Sequence, residues 1–332
     1  MEIIANGYLY PSVGPQVLQQ VTPRLTYLSL FTYGVTPQGG LVPLEDRQLI
    51  NGAWNGGAGP LMVVAAMDQE GRFDSNLASA VLQDPAVRRN LAQALADNVV
   101  QKGLAGVDFD FEFLSRADSL QYAALIRETK AELEKRDPQY RTMVALAPKT
   151  RDDQPGLLYE GHDYRALGEA ADYAFLMTYE WGYTFGPPMA VAPLNRVREV
   201  VEYALTRIPS QKILLGIPNY GYDWTLPFVQ GESRAEKIGN AEAVWRAQYY
   251  GVPILYDETA QSPYFFYQDR AGRQHEVWFE NGPSIRAKLQ LIAQYGLAGV
   301  SYWNLMDDWP VLWQEQEKLY ETQKLDWRSN LP

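Results

Sequence analysis

Eight short runs of apolar and β-branched residues punctuate the chain, at 3–10, 25–31, 61–66, 106–112, 142–148, 173–179, 213–220 and 299–304. Most are continuous rather than alternating, the pattern of strands in a parallel sheet covered on both faces. Between several of them the apolar spacing changes to that of helices. DPAVRRNLAQALADNVVQKG opens with Asp84 as N-cap and Pro85 in the first turn, and closes at Gly103. A second helix is expected over 118–135, with Leu120, Ala124, Ile126 and Leu133 as its apolar positions. A third, PLNRVREVVEYALTRI, precedes the run at 213. Alternating strands and helices make an α/β fold, either a (β/α)8 (TIM) barrel or a doubly wound sheet, and eight strands favour the barrel.

One segment breaks the alternation. About eighty residues separate the seventh run from the eighth, more than one crossover needs. They hold the helical NAEAVWRAQYY, the short PILYD, and FFYQDRAGRQHEVWF, which reads as a hairpin turning at 270–272. The expected organisation is a barrel formed by 1–222 and 284–332, with a small α+β insertion at 223–283 that projects from the C-terminal face and walls a cleft. NGAWNGGAGP is a flexible loop, without the spacing or the Lys-Ser/Thr of a phosphate loop.

The fourth run carries the chemistry. In GLAGVDFDFEFL, three carboxylates occupy every second position of an apolar strand. Asp108, Asp110 and Glu112 therefore share one face, and Val107, Phe109, Phe111 and Phe113 the other. Acids side by side repel one another and are costly to desolvate, which raises the pKa of at least one and makes a proton donor poised near neutrality. Two plainer readings compete. The acids are a solvated strand face, or they hold a hard cation, the metal type that carboxylates without histidine would suit.

Composition narrows the partners. The 332 residues are 46% hydrophobic, ample for a core, and 29 basic against 40 acidic residues give a net charge of −11. Nucleic acid and anionic membranes are disfavoured, since phosphates demand Lys/Arg patches. With no cysteine, thiolate metal sites and thiol nucleophiles are excluded. His162 and His275 lie far apart in no metal-binding spacing, no G-x-S-x-G is present, and there is no dinucleotide fingerprint. Both histidines are read as structural, and no cofactor or metal is expected. The longest apolar run, at 61–67, is too short to span a bilayer, and MEIIANGYLYP has the pattern of a strand rather than of a signal peptide.

Four stretches together carry a family resemblance. GVDFDFE resembles the DxxDxDxE signature of glycoside hydrolase family 18, the chitinases and related N-acetylglucosaminidases. LMTYEW, GIPNYGYDW and GVSYWNL resemble the family's sixth-, seventh- and eighth-strand motifs, in the right order. APKTRDDQPGLLYEGHDY, TYEWGYTFGPPMAVAPLNRV and YDETAQSPYFFY are similar to the spore-associated branch of cortical fragment-lytic enzymes, whose members usually add LysM repeats that this sequence lacks. The signature departs at its first acid, where Ala105 stands.

The resemblance implies substrate-assisted retention, an exception to the scheme of two protein carboxylates. Glu112 would be the general acid and base, Asp110 would hold the substrate's acetamido group, and Asp108 would share a proton with Asp110. Tyr179 would hydrogen-bond the acetamido oxygen, and Trp303 would floor the sugar subsite. Glu180, Tyr220 and Asp223 are further substrate-binding candidates, and Trp181, Tyr183, Trp224, Tyr264 and Phe266 are candidate sugar-stacking rings, most of them expected to be structural. The implied activity is cleavage of N-acetylglucosaminyl linkages in spore-cortex peptidoglycan fragments, by a monomer in a spore layer or outside the cell. A chitinase, or a non-catalytic carbohydrate-binding protein on the same scaffold, are the alternatives.

Overall fold

The computed structural model describes residues 1–67 and 71–326. Seven parallel strands follow one another around a barrel: β1 (Glu2–Leu9), β2 (Tyr27–Val35), β3 (Gly59–Val64), β4 (Gly106–Phe109), β5 (Arg141–Leu146), β6 (Tyr173–Leu176) and β7 (Ile213–Pro218). The chain then builds a separate five-stranded antiparallel sheet from β8 (Gly221–Thr225), β9 (Glu236–Ile238), β10 (Leu255–Asp257), β11 (Ser262–Gln268) and β12 (Gln274–Trp278). It returns in β13 (Gly299–Trp303), which lies between β7 and β1 and closes the barrel, so the eight-stranded (β/α)8 architecture is present. The apolar runs are continuous for the physical reason expected: every residue of β3 and β7, and all but the first of β1, is buried.

Helices form where their signals predict. In α1 (Pro85–Lys102), the Asp84 carboxylate accepts from the amides of Ala86 and Val87, and Gly103 ends the helix at φ 69°. α2 (Ser119–Glu134) buries Tyr122, Ala123, Leu125, Ile126, Thr129 and Leu133. Ile126 and Leu133 of the expected apolar set are buried, whereas Ala124 is only half-buried. Leu120 is 61% exposed, because the face that meets the barrel is set by Tyr122 and Ile126.

The second sheet has a small core of its own, in which Phe265, Tyr267, Val277 and Phe279 meet Ala243 and Ala247 of α3 (Asn240–Tyr249). β11 and β12 pair Gln268 with Gln274 around the hairpin turn. The first strand of the sheet, β8, leaves the barrel only two residues after β7, so the sheet stands at the C-terminal ends of the barrel strands. At the opposite pole, Glu321–Thr322 runs parallel beside Glu2 and Ile3. Among the described residues, no helix is long and apolar enough to cross a membrane.

Apart from β2, which runs on to Val35, the strands end earlier than their apolar runs. β4 stops at Phe109; the Asp110 amide still donates to the Val64 carbonyl at 3.0 Å, and Phe111 and Glu112 follow beyond the strand. At Phe113 the backbone swings to φ 56°, which turns the ring outward to 38% exposure. Phe113 thus leaves the face expected to hold Val107, Phe109 and Phe111, all three of which are fully buried.

Candidate active site

A cleft of about 330 Å³ opens at the C-terminal end of the barrel. Asp110 and Glu112 after β4, Tyr179 and Glu180 after β6, and Trp303 at the end of β13 all line it. Tyr8, Phe31, Met177, Trp181, Tyr222 and Lys237 line it as well. Side chains from distant strands meet here because each follows a strand that points to this pole.

Asp108 lies beneath the cleft rather than in its wall. It is fully buried, and its Oδ2 accepts hydrogen bonds from Tyr8 Oη at 2.6 Å and Ser29 Oγ at 2.7 Å. Ser29 also reaches Asn6, and Asn6 donates to Ser301, so a polar layer from four strands crosses the barrel interior and fixes this carboxyl. Asp108 Oδ1 and Asp110 Oδ1 are both buried without a protein partner. An orphaned carboxyl oxygen in a dry site is costly as an anion, and a proton relieves that cost.

The three acids are pushed up together. Burial is the main cause in each case. It raises Asp108 to about 6, against the opposing bonds from Tyr8 and Ser29. Asp110 rises well above the carboxylate range through burial and then the charges of Glu112 and Asp108. Glu112 is raised to about 7 by burial and by the facing carboxylate of Glu180. Interacting groups titrate as a set, and this set holds at least one proton at neutral pH.

The backbone between the two cleft acids is clamped on both sides. The Phe111 amide donates to Tyr122 Oη at 3.2 Å, while its carbonyl lies 2.9 Å from His162 Nε2. The Ala147 amide donates to His162 Nδ1 at 2.8 Å, so Nε2 carries the hydrogen and donates to Phe111. Burial pulls His162 down to about 4, which keeps this neutral tautomer in place across the neutral range. His162 is structural, as its sequence context suggested, but it holds the peptide that aims Glu112.

Trp303 sits in a ring of aromatic edges, 5.0 Å from Phe31, 5.2 Å from Tyr8 and 6.1 Å from Tyr10 between centroids. Tyr179 is buried, and burial followed by the charge of Asp110 lifts its hydroxyl well above its ordinary value, so it stays a neutral donor. Glu180 sits at φ 66°, a left-handed turn that brings its carboxylate under the hydroxyls of Tyr220 and Tyr222. Tyr220 is therefore a support for Glu180 and does not itself line the cleft.

Asp223 is not a cleft residue. It is 3% exposed inside the second sheet, where it takes an ion pair from Arg246 and hydrogen bonds from Tyr267 at 2.6 Å and His275 at 2.7 Å. Its motif position suggested substrate, but the partners that claim it come from α3, β11 and β12. Asp223→Ala is expected to destabilise the protein by about 3 kcal/mol, since it removes the buried carboxylate that accepts from Arg246, Tyr267 and His275 at once and leaves the Tyr267 hydroxyl and His275 Nδ1 without that partner. Urea unfolding would read this, and an unchanged midpoint would argue against the assignment.

Of the candidate stacking rings, only Trp181 lines the cleft. Trp224 is buried and donates to the Gly186 carbonyl, Tyr264 stacks on Trp278, and Tyr183 and Phe266 are 38% and 46% exposed outside the cleft. Ala105 is fully buried below the start of β4, against the position a side chain on Gly59 would take. The sequence reading missed Tyr8 and Lys237. A tyrosine on the inward face of β1 was the available signal for the first; the second had none.

The family profile described as Glycosyl hydrolases family 18 matches residues 71–308. The chain belongs to glycosyl hydrolase family 18. It is a glycoside hydrolase, and relatives along most of its length agree. It is 41% identical over 321 residues to the cortical fragment-lytic enzyme of Bacillus subtilis (strain 168), covering 94% of this chain and 73% of that protein. The crystal structure of the Bacillus cereus spore cortex-lytic enzyme SleL superposes with a TM-score of 0.92 at 35% identity, over 97% of this chain and 75% of that one. The chitinase from Chromobacterium violaceum ATCC 12472 superposes with a TM-score of 0.86 at 25% identity, over 94% and 97% of the two chains.

Proposed function

We propose that this family 18 enzyme hydrolyses N-acetylglucosaminyl linkages in spore-cortex peptidoglycan fragments, in a spore layer or outside the cell. The route is retaining, with the substrate's acetamido group as nucleophile. One observation carries the chemistry: Glu112, raised to about 7, shares a cleft with Asp110, whose buried Oδ1 has no protein partner. Glu112 gives its proton to the glycosidic oxygen as that bond breaks. The acetamido oxygen closes on the anomeric carbon and leaves a cyclic oxazolinium cation. Asp110 accepts the acetamido N–H and becomes the counter-charge, with its former proton passed towards Asp108. Tyr179 donates to the acetamido oxygen, and Trp303 supplies an apolar floor. Glu112, now ionised, takes a proton from water, whose oxygen opens the ring and restores both groups.

The names of the relatives support cortex glycan as substrate; the chitinase likeness favours a second reading, chitooligosaccharides. Mass spectrometry of the products from each glycan separates them. Release of fragments ending in N-acetylglucosamine from cortex material is the expected result, and cleavage of chitin oligomers alone would overturn it.

The raised Glu112 predicts a pH profile. The donor is the protonated form, present below about 7, so kcat/KM falls as pH rises through that value. Glu180→Gln removes the facing charge and shifts this alkaline limb to lower pH. A limb that stays in place would remove Glu180 from the account.

A further inference from the structure

Lys237 comes from the second sheet, and among the described residues no hydrogen bond or ion pair engages its ammonium. β9 pairs with β8 so that Lys237 stands opposite Tyr222, and both side chains reach the cleft wall. The alternation of β9 sends its neighbour Glu236 the other way, to Arg246 at 3.0 Å. The Lys237 ammonium lies 3.7 Å from the centre of the Tyr220 ring. That contact holds the cation in place but uses none of its three N–H donors as a hydrogen bond to oxygen. Among the described residues Lys237 has no ion pair and no hydrogen bond, and Glu180 acts on it only through space.

The rest of the cleft makes this ammonium conspicuous. Its other ionisable groups are Asp110, Glu112, Glu180 and tyrosines, set in a protein of net charge −11. With Asp110 and Glu112 held towards their protonated forms, such a wall still offers an anionic sugar no counter-charge, whereas a chain of neutral N-acetylhexosamines needs no cation beside it. An unpaired ammonium adds what the carboxylates withhold, a strong donor for an acceptor oxygen on the substrate. Muramoyl residues differ from N-acetylglucosamine by a lactyl arm that ends in such oxygens, as a free carboxylate or, after ring closure, a lactam carbonyl.

We propose that Lys237 is a specificity-determining residue that binds the carboxylate or carbonyl oxygen of the lactyl arm on a muramoyl residue next to the cleaved N-acetylglucosamine. This rests on the cortex-glycan reading above and extends it to a named side chain. The selectivity is then built into the insertion, while the barrel supplies the bond-breaking groups.

The test compares kcat/KM on three glycans: a muramoyl tetrasaccharide with free lactyl carboxylates, its δ-lactam counterpart, and chitotetraose. In Lys237→Met, the ratio of muramoyl to chitotetraose activity is expected to fall about 10- to 100-fold, mainly through KM, as for loss of a charge-assisted hydrogen bond. Lys237→Arg keeps most of the ratio and controls for folding. A fall on the free acid alone assigns the lysine to the carboxylate, and a fall on both muramoyl glycans assigns it to the shared carbonyl oxygen. An unchanged ratio overturns the proposal, even where overall activity drops. If the wild-type enzyme cuts chitotetraose and neither muramoyl glycan, the cortex reading itself fails and this assignment with it, a result visible before any variant is made.

Discussion

Glu112→Gln is expected to lower kcat by about 10³- to 10⁴-fold while leaving glycan binding nearly intact. Glutamine keeps the shape and one donor of the protonated acid, so the cleft wall survives. What is lost is the transferable proton, and the glycosidic oxygen then leaves as an alkoxide in a cleft lined by carboxylates. The two neighbouring carboxyl groups and the Tyr179 hydroxyl are unsuited as replacements. Asp110 is committed to the acetamido side, Glu180 is held by Tyr220 and Tyr222, and the Tyr179 hydroxyl is raised out of the useful range. The measurement is initial rate on cortex fragments beside calorimetric binding of the same glycan. A variant retaining a tenth of the activity would remove Glu112 from the role of proton donor.

Asp110→Asn should separate binding from chemistry in a different way. In the resting enzyme Asp110 is pushed towards the protonated form, which asparagine imitates well. Ground-state binding is therefore expected to change little. Once the oxazolinium cation forms, Asp110 must become an anion beside it, and the amide cannot. A fall of about 10²- to 10³-fold in kcat with KM within a few-fold is the expected result, the signature of an interaction made only in the transition state. A rise in KM with kcat preserved would instead mark Asp110 as a binding group.

The acids were legible because a strand has a period of two. Nothing but that period is needed to put Asp108, Asp110 and Glu112 on one side, and the side chains keep to it even where the strand stops at Phe109. Tyr179, Glu180 and Trp303 were found by resemblance of short motifs at strand ends, and all three line the cleft. The failures share a cause. Asp223 follows Tyr220 in a motif, but its fate was decided by Arg246, Tyr267 and His275, which are 23 to 52 residues away. Lys237 stands in a strand of three residues with no periodicity to read, and only the pairing of β9 with β8 carries it to the cleft. Phe113 left its predicted face through one backbone angle, which no apolar pattern encodes.

The short strand Glu321–Thr322 beside β1 fixes one more property of the molecule. The Glu321 amide bonds the Met1 carbonyl at 3.1 Å and the Gln323 amide bonds the Ile3 carbonyl at 2.8 Å, so both ends of the described barrel emerge together. They do so at the pole where the strands begin, and the eight residues of β1 put roughly 25 Å of barrel between that pole and the acids. A tether attached at Met1 or Gln323 would therefore leave from the pole opposite the cleft, and the glycan mouth would face away from the support.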